Sequence, residues 1–166
     1  MLVREKYKYK GQALLESEDW AKYFQLSEIG TEYEVLYNTD DGMLIMSDTE
    51  YAEITNEEFF DSINKGDEVL SIGYGIGYIN DRAIEEGVNL TIIEKYPDVV
   101  ALDNNVNSKV TILYGDVNNF PFKQVFKEKK FDVIYFDSFE NPYYETPAKL
   151  KELLKPNGKY IQWKHL

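Results

Sequence analysis

Short apolar runs at 68–72, 90–94, 110–113, 131–136 and 159–163 alternate with segments of helical pattern. The helical segments are 78–86, stopped by Gly87; 97–106, with Pro97 in its first turn; and 145–154, closed by the turn Lys155-Pro156-Asn157-Gly158. Residues 120–128 contain a helical turn or more. Strand, helix, strand in repetition implies right-handed crossovers and a parallel sheet. The runs are near-continuously apolar, as strands covered on both faces require. The chain is therefore read as α/β over 55–166.

Residues 1–54 differ in character, being polar and rich in tyrosine. Trp20, Tyr23, Phe24 and Leu26 give 19–29 the spacing of a short amphipathic helix. Two apolar runs, 33–37 and 43–46, flank Asn38-Thr39-Asp40-Asp41-Gly42 and read as a β-hairpin. Thr55-Asn56-Glu57-Glu58 has the form of a capping box opening a helix whose apolar face is Phe59, Phe60 and Ile63, with Gly66 ending it. The expected organisation is an N-terminal extension, 1–54, and a nucleotide-cofactor domain, 55–166.

Composition narrows the function. A length of 166 residues supports one domain with an extension, and 15% aromatic residues argue against disorder. No apolar run is long enough to cross a bilayer, and residues 1–10 lack the apolar core of a signal peptide, so a cytoplasmic location is expected. There is no cysteine, which excludes disulfides, thiolate metal sites and cysteine nucleophiles. A net charge of −12 repels phosphate backbones and makes a nucleic-acid grip unlikely. It suits a cationic substrate, although solubility alone accounts for it as well. His165, the single histidine, has no evident partner and reads as a tail residue; no cluster supports a metal.

In open parallel sheets ligands sit beyond the carboxyl ends of the strands. After the first run comes Gly73-Tyr74-Gly75-Ile76-Gly77. A dinucleotide fingerprint asks for glycine at the sixth position, where Tyr78 stands, so the spacing favours a smaller adenosine-type ligand over NAD. The same glycines would also serve merely to pack a strand against a helix. Glu94 ends the second run, about 20 residues further on, where a carboxylate can accept both hydroxyls of a ribose; otherwise it is an exposed strand-end acid. Asp116, after the third run, is placed to accept from an adenine amino group or to form an Asx turn or helix cap. Asp137, after the buried fourth run, is placed to hold or deprotonate an amine. Glu140 is either a second cleft carboxylate or a loop charge. Tyr143 and Tyr144 either cover a ligand or pack on the helix that follows.

Val69 to Gly77, then Glu94, Gly115-Asp116, Phe131 to Asp137 and Leu154 to Gly158 resemble the ordered motifs of the class I S-adenosylmethionine-dependent methyltransferase superfamily. The resemblance implies a Rossmann-like sheet of order 3-2-1-4-5. It implies that Gly73, Gly75 and Gly77 pass beside the methionine portion, that Glu94 binds the ribose and Asp116 the adenine side, and that Asp137 faces the substrate. Ile45 to Glu50 and the loop Ile72 to Gly75 are similar to guanidinoacetate-type methyltransferases. Gly42 to Asp48, the helix from Thr55 and Asp137 to Pro142 are similar to spermidine synthases, in which two acids hold the amine.

The chain departs from these patterns. Ser71 stands where many methyltransferases carry an acid, and Ile76 where spermidine synthases carry an aspartate. The superfamily sheet normally continues with a hairpin after the fifth strand, whereas this chain stops at Leu166. One sheet edge is thus expected to lack its usual cover unless the N-terminal hairpin or a partner copy, as in a homo-oligomer, supplies it. The leading expectation is methyl transfer from S-adenosylmethionine to a small, amine-bearing acceptor, with Asp137 and Glu140 as catalytic acids. The alternatives are aminopropyl transfer from decarboxylated S-adenosylmethionine, or an adenosine-binding or scaffold domain without turnover.

Overall fold

The computed structural model describes every residue except Ala13, Glu16, Phe139, Glu140 and Asn141. The expected parallel sheet is present. Its strands are β4 (Glu68–Ile72), β5 (Asn89–Glu94), β6 (Thr111–Tyr114), β7 (Phe131–Phe136) and β8 (Leu154–Gln162), in the order β6-β5-β4-β7-β8. Strands earlier in the chain, β1 (Leu2–Lys8), β2 (Glu32–Asn38) and β3 (Leu44–Ser47), form a separate antiparallel sheet. The hairpin expected at 33–46 is therefore two strands of three. Among the described residues the two sheets share no strand pairing, and β8 has β7 as its strand neighbour.

The helices are α1 (Glu18–Phe24), α2 (Glu50–Thr55), α3 (Glu57–Ser62), α4 (Tyr78–Glu85), α5 (Pro97–Ala101), α6 (Phe122–Phe126) and α7 (Thr146–Lys151), with a 3-10 turn at Val117–Asn119. Burial explains the sheet's position. Val69, Leu90, Ile92, Val133 and Tyr135 project to one face and pack with Ile79, Ala83, Val99 and Val100 of α4 and α5. Leu70, Ile72, Ile93, Ile134 and Phe136 project to the other and pack with Phe122, Phe126 and Leu150 of α6 and α7. Alternate side chains thus serve two cores, which is why the runs are apolar throughout.

A third core holds α1 against the antiparallel sheet, with Trp20, Tyr23, Phe24, Tyr33, Val35, Tyr37, Leu44 and Tyr51 buried together. Ser17 caps α1 through its side chain, accepting from the Trp20 amide. Leu36 and Met46 join the core beneath the glycine loop instead. The N-terminal strands therefore pack on the parallel-sheet unit.

Three expectations are corrected. Thr55 does not open a helix. It ends α2, where its hydroxyl donates back to the Tyr51 and Ala52 carbonyls, and Asn56 precedes α3 without a side-chain cap bond. Residues 50–62 form two short helices, with the buried Asn56 at the joint between them. His165 has a partner: its Nδ1 lies 2.8 Å from the Tyr51 hydroxyl, and Trp163 packs edge-on against its ring. The last strand starts earlier than expected, at Leu154, but its ladder breaks. Leu154 faces Phe131 and Lys159 faces Val133, so the expected turn at 155–158 is a bulge inside β8.

Candidate functional site

The carboxyl ends of β4, β5, β6 and β7 open into a cavity of about 410 Å³. Its lining includes Gly73 and Gly75, Glu94, Asp116 and Asp137. Four loops that the sequence places after four different strands thus converge, as a parallel sheet dictates.

Glu94, 6% exposed, closes β5. Its Oε2 accepts from the Tyr74 amide at 2.8 Å and its Oε1 from the Tyr96 amide at 2.7 Å. It is not the exposed strand-end acid of the alternative reading. One carboxylate thus ties the glycine loop to the turn before α5.

Gly73 (φ +104) sits where a Cβ would collide with the carbonyl oxygen of Asp137. Only glycine lets the loops after β4 and β7 approach this closely. A Cβ on Gly75 would overlap the sulfur of Met46 from β3. Gly77 (φ +82) is different. It precedes α4 outside the cavity lining, and a Cβ there would come within 3.0 Å of Asp103 Oδ2 and 3.2 Å of the Tyr74 hydroxyl.

Asp116 forms the cap of the second reading and also lines the cavity. Its Oδ1 accepts from the Asn118 amide at 3.0 Å, capping the 3-10 turn, while its Oδ2 lies 3.7 Å from Lys95 Nζ on the cavity wall. Asp137 follows β7, its amide donating to the Ile72 carbonyl. Burial, reinforced by the nearby Glu94 charge, pushes its carboxyl up to about 7. The protein thus holds a half-titrated acid near neutrality in the cavity. Glu140 lies outside the described residues. Tyr143 and Tyr144 are exposed, and neither lines the cavity. Among the described residues no group of acids and histidines has the arrangement of a metal site, and no helix is long and apolar enough to cross a membrane.

The sequence reading missed the N-terminal contribution. Leu2, Tyr23, Met43, Ile45 and Met46 line the cavity together with Asn56 and Trp163. Asn56 is 2% exposed, donates to the Ala52 carbonyl at 2.6 Å and accepts from the Tyr135 hydroxyl. The one local signal was the small residue at Gly75, which marks close approach without naming what approaches.

The residues present suit an adenosine-type ligand. Two glycines line the cavity, a buried carboxylate stands beside them, and the surrounding volume falls in the range of small-molecule sites.

No family model and no curated protein matches the sequence. Solved structures do match. One is the glycopeptide N-methyltransferase MtfA complexed with S-adenosylmethionine, at 19% identity and a TM-score of 0.51 over 67% of this chain and 53% of that one. A TehB-like S-adenosylmethionine-dependent methyltransferase from Corynebacterium glutamicum matches at 17% identity and 0.53, over 64% and 60%. An S-adenosylmethionine-dependent methyltransferase from Geobacter sulfurreducens, in complex with S-adenosylhomocysteine, matches at 21% and 0.51, over 66% and 47%. The chain spans about half the length of the structures it matches. At these identities the likeness shows the fold: α/β, with the Rossmann-like five-strand sheet of the class I methyltransferases.

Proposed function

We propose that this chain binds S-adenosylmethionine and transfers its methyl group to a small amine. One observation carries the reading: Glu94, Asp116 and Asp137, from three different strand ends, line one cavity with Gly73 and Gly75. A cavity walled by acids and glycines suits a cationic nucleoside. Methyltransferases that share the fold have been solved with S-adenosylmethionine and S-adenosylhomocysteine bound, which supports the same cofactor here.

Bound there, S-adenosylmethionine would supply an electrophilic methyl on a sulfonium. Glu94 would accept from the ribose hydroxyls, its carboxylate being held in place by the Tyr74 and Tyr96 amides. Asp116 would face the adenine, with its orientation set by its bond to Asn118. Gly73 and Gly75 would admit the methionine portion. Gly77, outside the lining, has no contact role in this scheme. Asp137, in its ionised form, would orient the acceptor amine and take its proton. The amine lone pair would displace sulfur from the methyl carbon, the S–C electron pair leaving with sulfur. Most of the acceleration is alignment of that in-line displacement. Leu2, Met43, Ile45 and Met46 of the N-terminal segment, with Trp163 from beyond β8, add apolar side chains to the cavity wall, which suits an amine carried on an apolar body.

Calorimetric titration with S-adenosylmethionine, S-adenosylhomocysteine, methylthioadenosine and NAD tests the cofactor. The sulfur nucleosides should bind and NAD should not, and Glu94→Ala should abolish binding. An amine panel with a labelled methyl donor then tests transfer. A folded chain that binds none of the four removes the proposal.

A further inference from the structure

The glycine loop is held from outside the cavity. Tyr74, the residue between its first two glycines, donates its hydroxyl to Asp103 Oδ2 at 2.6 Å. Asp103 follows α5, and its Oδ1 accepts from the Asn105 amide at 2.8 Å. Arg4 of β1 brings Nη1 to 3.3 Å from the same Oδ2, and its Nε donates to Glu34 Oε1 of β2 at 2.6 Å. The side chains of Arg4 and Asp103 are 12% and 6% exposed. Glu34, Arg4, Asp103 and Tyr74 thus form one line from the antiparallel sheet to the loop, with a hydrogen bond at each end and an ion pair between Arg4 and Asp103. The Tyr74 amide continues it to Glu94.

Two further contacts meet at the same residue. The Tyr74 carbonyl accepts from the Gly77 amide and from Asn80 Nδ2, each at 3.2 Å, so the loop closes on itself around Tyr74. Gly77 lacks a side chain where the Tyr74–Asp103 bond passes. The third glycine, at positive φ, leaves room for that bond.

We infer that Arg4 and Tyr74 are positioning residues: acting through Asp103, they set the glycine loop and the Tyr74 amide that orients Glu94, and so set cofactor affinity without touching the cofactor. Arg4 neutralises a buried carboxylate that would otherwise be left to Tyr74 and a backbone amide. Charge moves accordingly, with burial and then Asp103 pushing the Tyr74 phenol above its ordinary value, and the bonds from Tyr74, the Asn105 amide and Arg4 outweighing burial to hold the Asp103 carboxyl below its own. The ligand half of the inference rests on the S-adenosylmethionine reading; the loop half does not.

The test joins two measurements on the full chain. Amide exchange without ligand reads the loop, and titration with S-adenosylhomocysteine reads affinity. Arg4→Met and Tyr74→Phe should each speed exchange at the Tyr74 and Gly77 amides while the amides of β4 and β7 keep their protection. Each should weaken binding about tenfold, within the usual range of coupling between sites. Arg4→Lys should recover part of the loss. The double variant should bind no more weakly than the worse single one, because both cut one line. If Arg4→Met does not fold, Tyr74→Phe carries the test alone, since it keeps the ring and changes no charge. Unchanged loop exchange and unchanged affinity in Tyr74→Phe would overturn the inference, as would additive losses in the double variant. If the native chain binds no S-adenosylhomocysteine, the function proposed above fails, while the exchange data still decide whether Arg4 and Tyr74 hold the loop.

Discussion

Glu94 and Asp137 are both carboxylates at strand ends, yet their surroundings set them opposite tasks. Glu94 is held by two backbone amides, which favour its charge. Removing it strands both amides in a poorly solvated place, so Glu94→Ala should cost about 1–3 kcal/mol of folding stability in addition to binding, read by denaturant unfolding. Asp137 instead gains its proton easily, its carboxyl being raised from 3.8 to about 7 by burial and by Glu94. The folded state then binds this proton more tightly than the unfolded state between those values. The stability contributed by Asp137 is thus fullest below pH 4 and lost as pH rises towards 7. Asp137→Asn should raise the melting temperature by a few degrees at pH 8 and have no such effect at pH 4. It should also lower methyl transfer about a hundredfold or more, as loss of a positioned base does. Equal melting shifts at both pH values would show that the carboxyl is not perturbed.

At the scale of elements, the joint between α2 and α3 shows how the site is braced. Asn56 spans the Ala52 carbonyl and the Tyr135 hydroxyl, and Phe59 of α3 stacks on the Tyr135 ring at 4.3 Å. Asn56→Ala should cost about 1–3 kcal/mol, because it leaves buried polar groups unpaired. Thr55→Ala should stay within about 0.5 kcal/mol, because Thr55 caps no helix and only bonds back within α2. Chemical denaturation of the two variants separates them, and a larger loss at Thr55 would restore the capping box. The same joint marks where sequence reading stops. The parallel strands were legible because burial on both faces writes continuous apolar runs, and the acids after them follow from sheet topology. The spacing Thr55-x-x-Glu58 fits a cap as well as a helix end, and the local sequence does not decide between them. β1 carries Val3 and Tyr7 with period two towards the α1 cluster, but Arg4, Glu5 and Lys6 mask it as a charged tail. Arg4 finds its partner in Asp103, and His165 finds Tyr51, only through tertiary docking that no local spacing encodes.

For the whole molecule, a net charge of −12 leaves open whether the acidity has a local purpose. The cavity gives it one: Asp116 has Lys95 beside it, whereas Glu94 and Asp137 repel each other enough to help keep Asp137 protonated at neutral pH. A cation bound between them reverses that balance. S-adenosylmethionine carries a sulfonium and S-adenosylhomocysteine does not, while the rest of the two ligands is shared. Binding of the sulfonium form should therefore lower the Asp137 pKa and release a proton where the acid was still protonated. The sign follows by linkage: a ligand that binds the ionised site better gains affinity as pH rises through the free-site value of about 7. The preference for S-adenosylmethionine over S-adenosylhomocysteine should grow between pH 6 and pH 8 and then level off. In Asp137→Asn it should be flat across the same range. Titrations of both ligands at several pH values, each repeated in buffers of different ionisation enthalpy, count the protons released. A preference independent of pH in the native chain would place the sulfonium away from Asp137 and take the proton-accepting role from that residue.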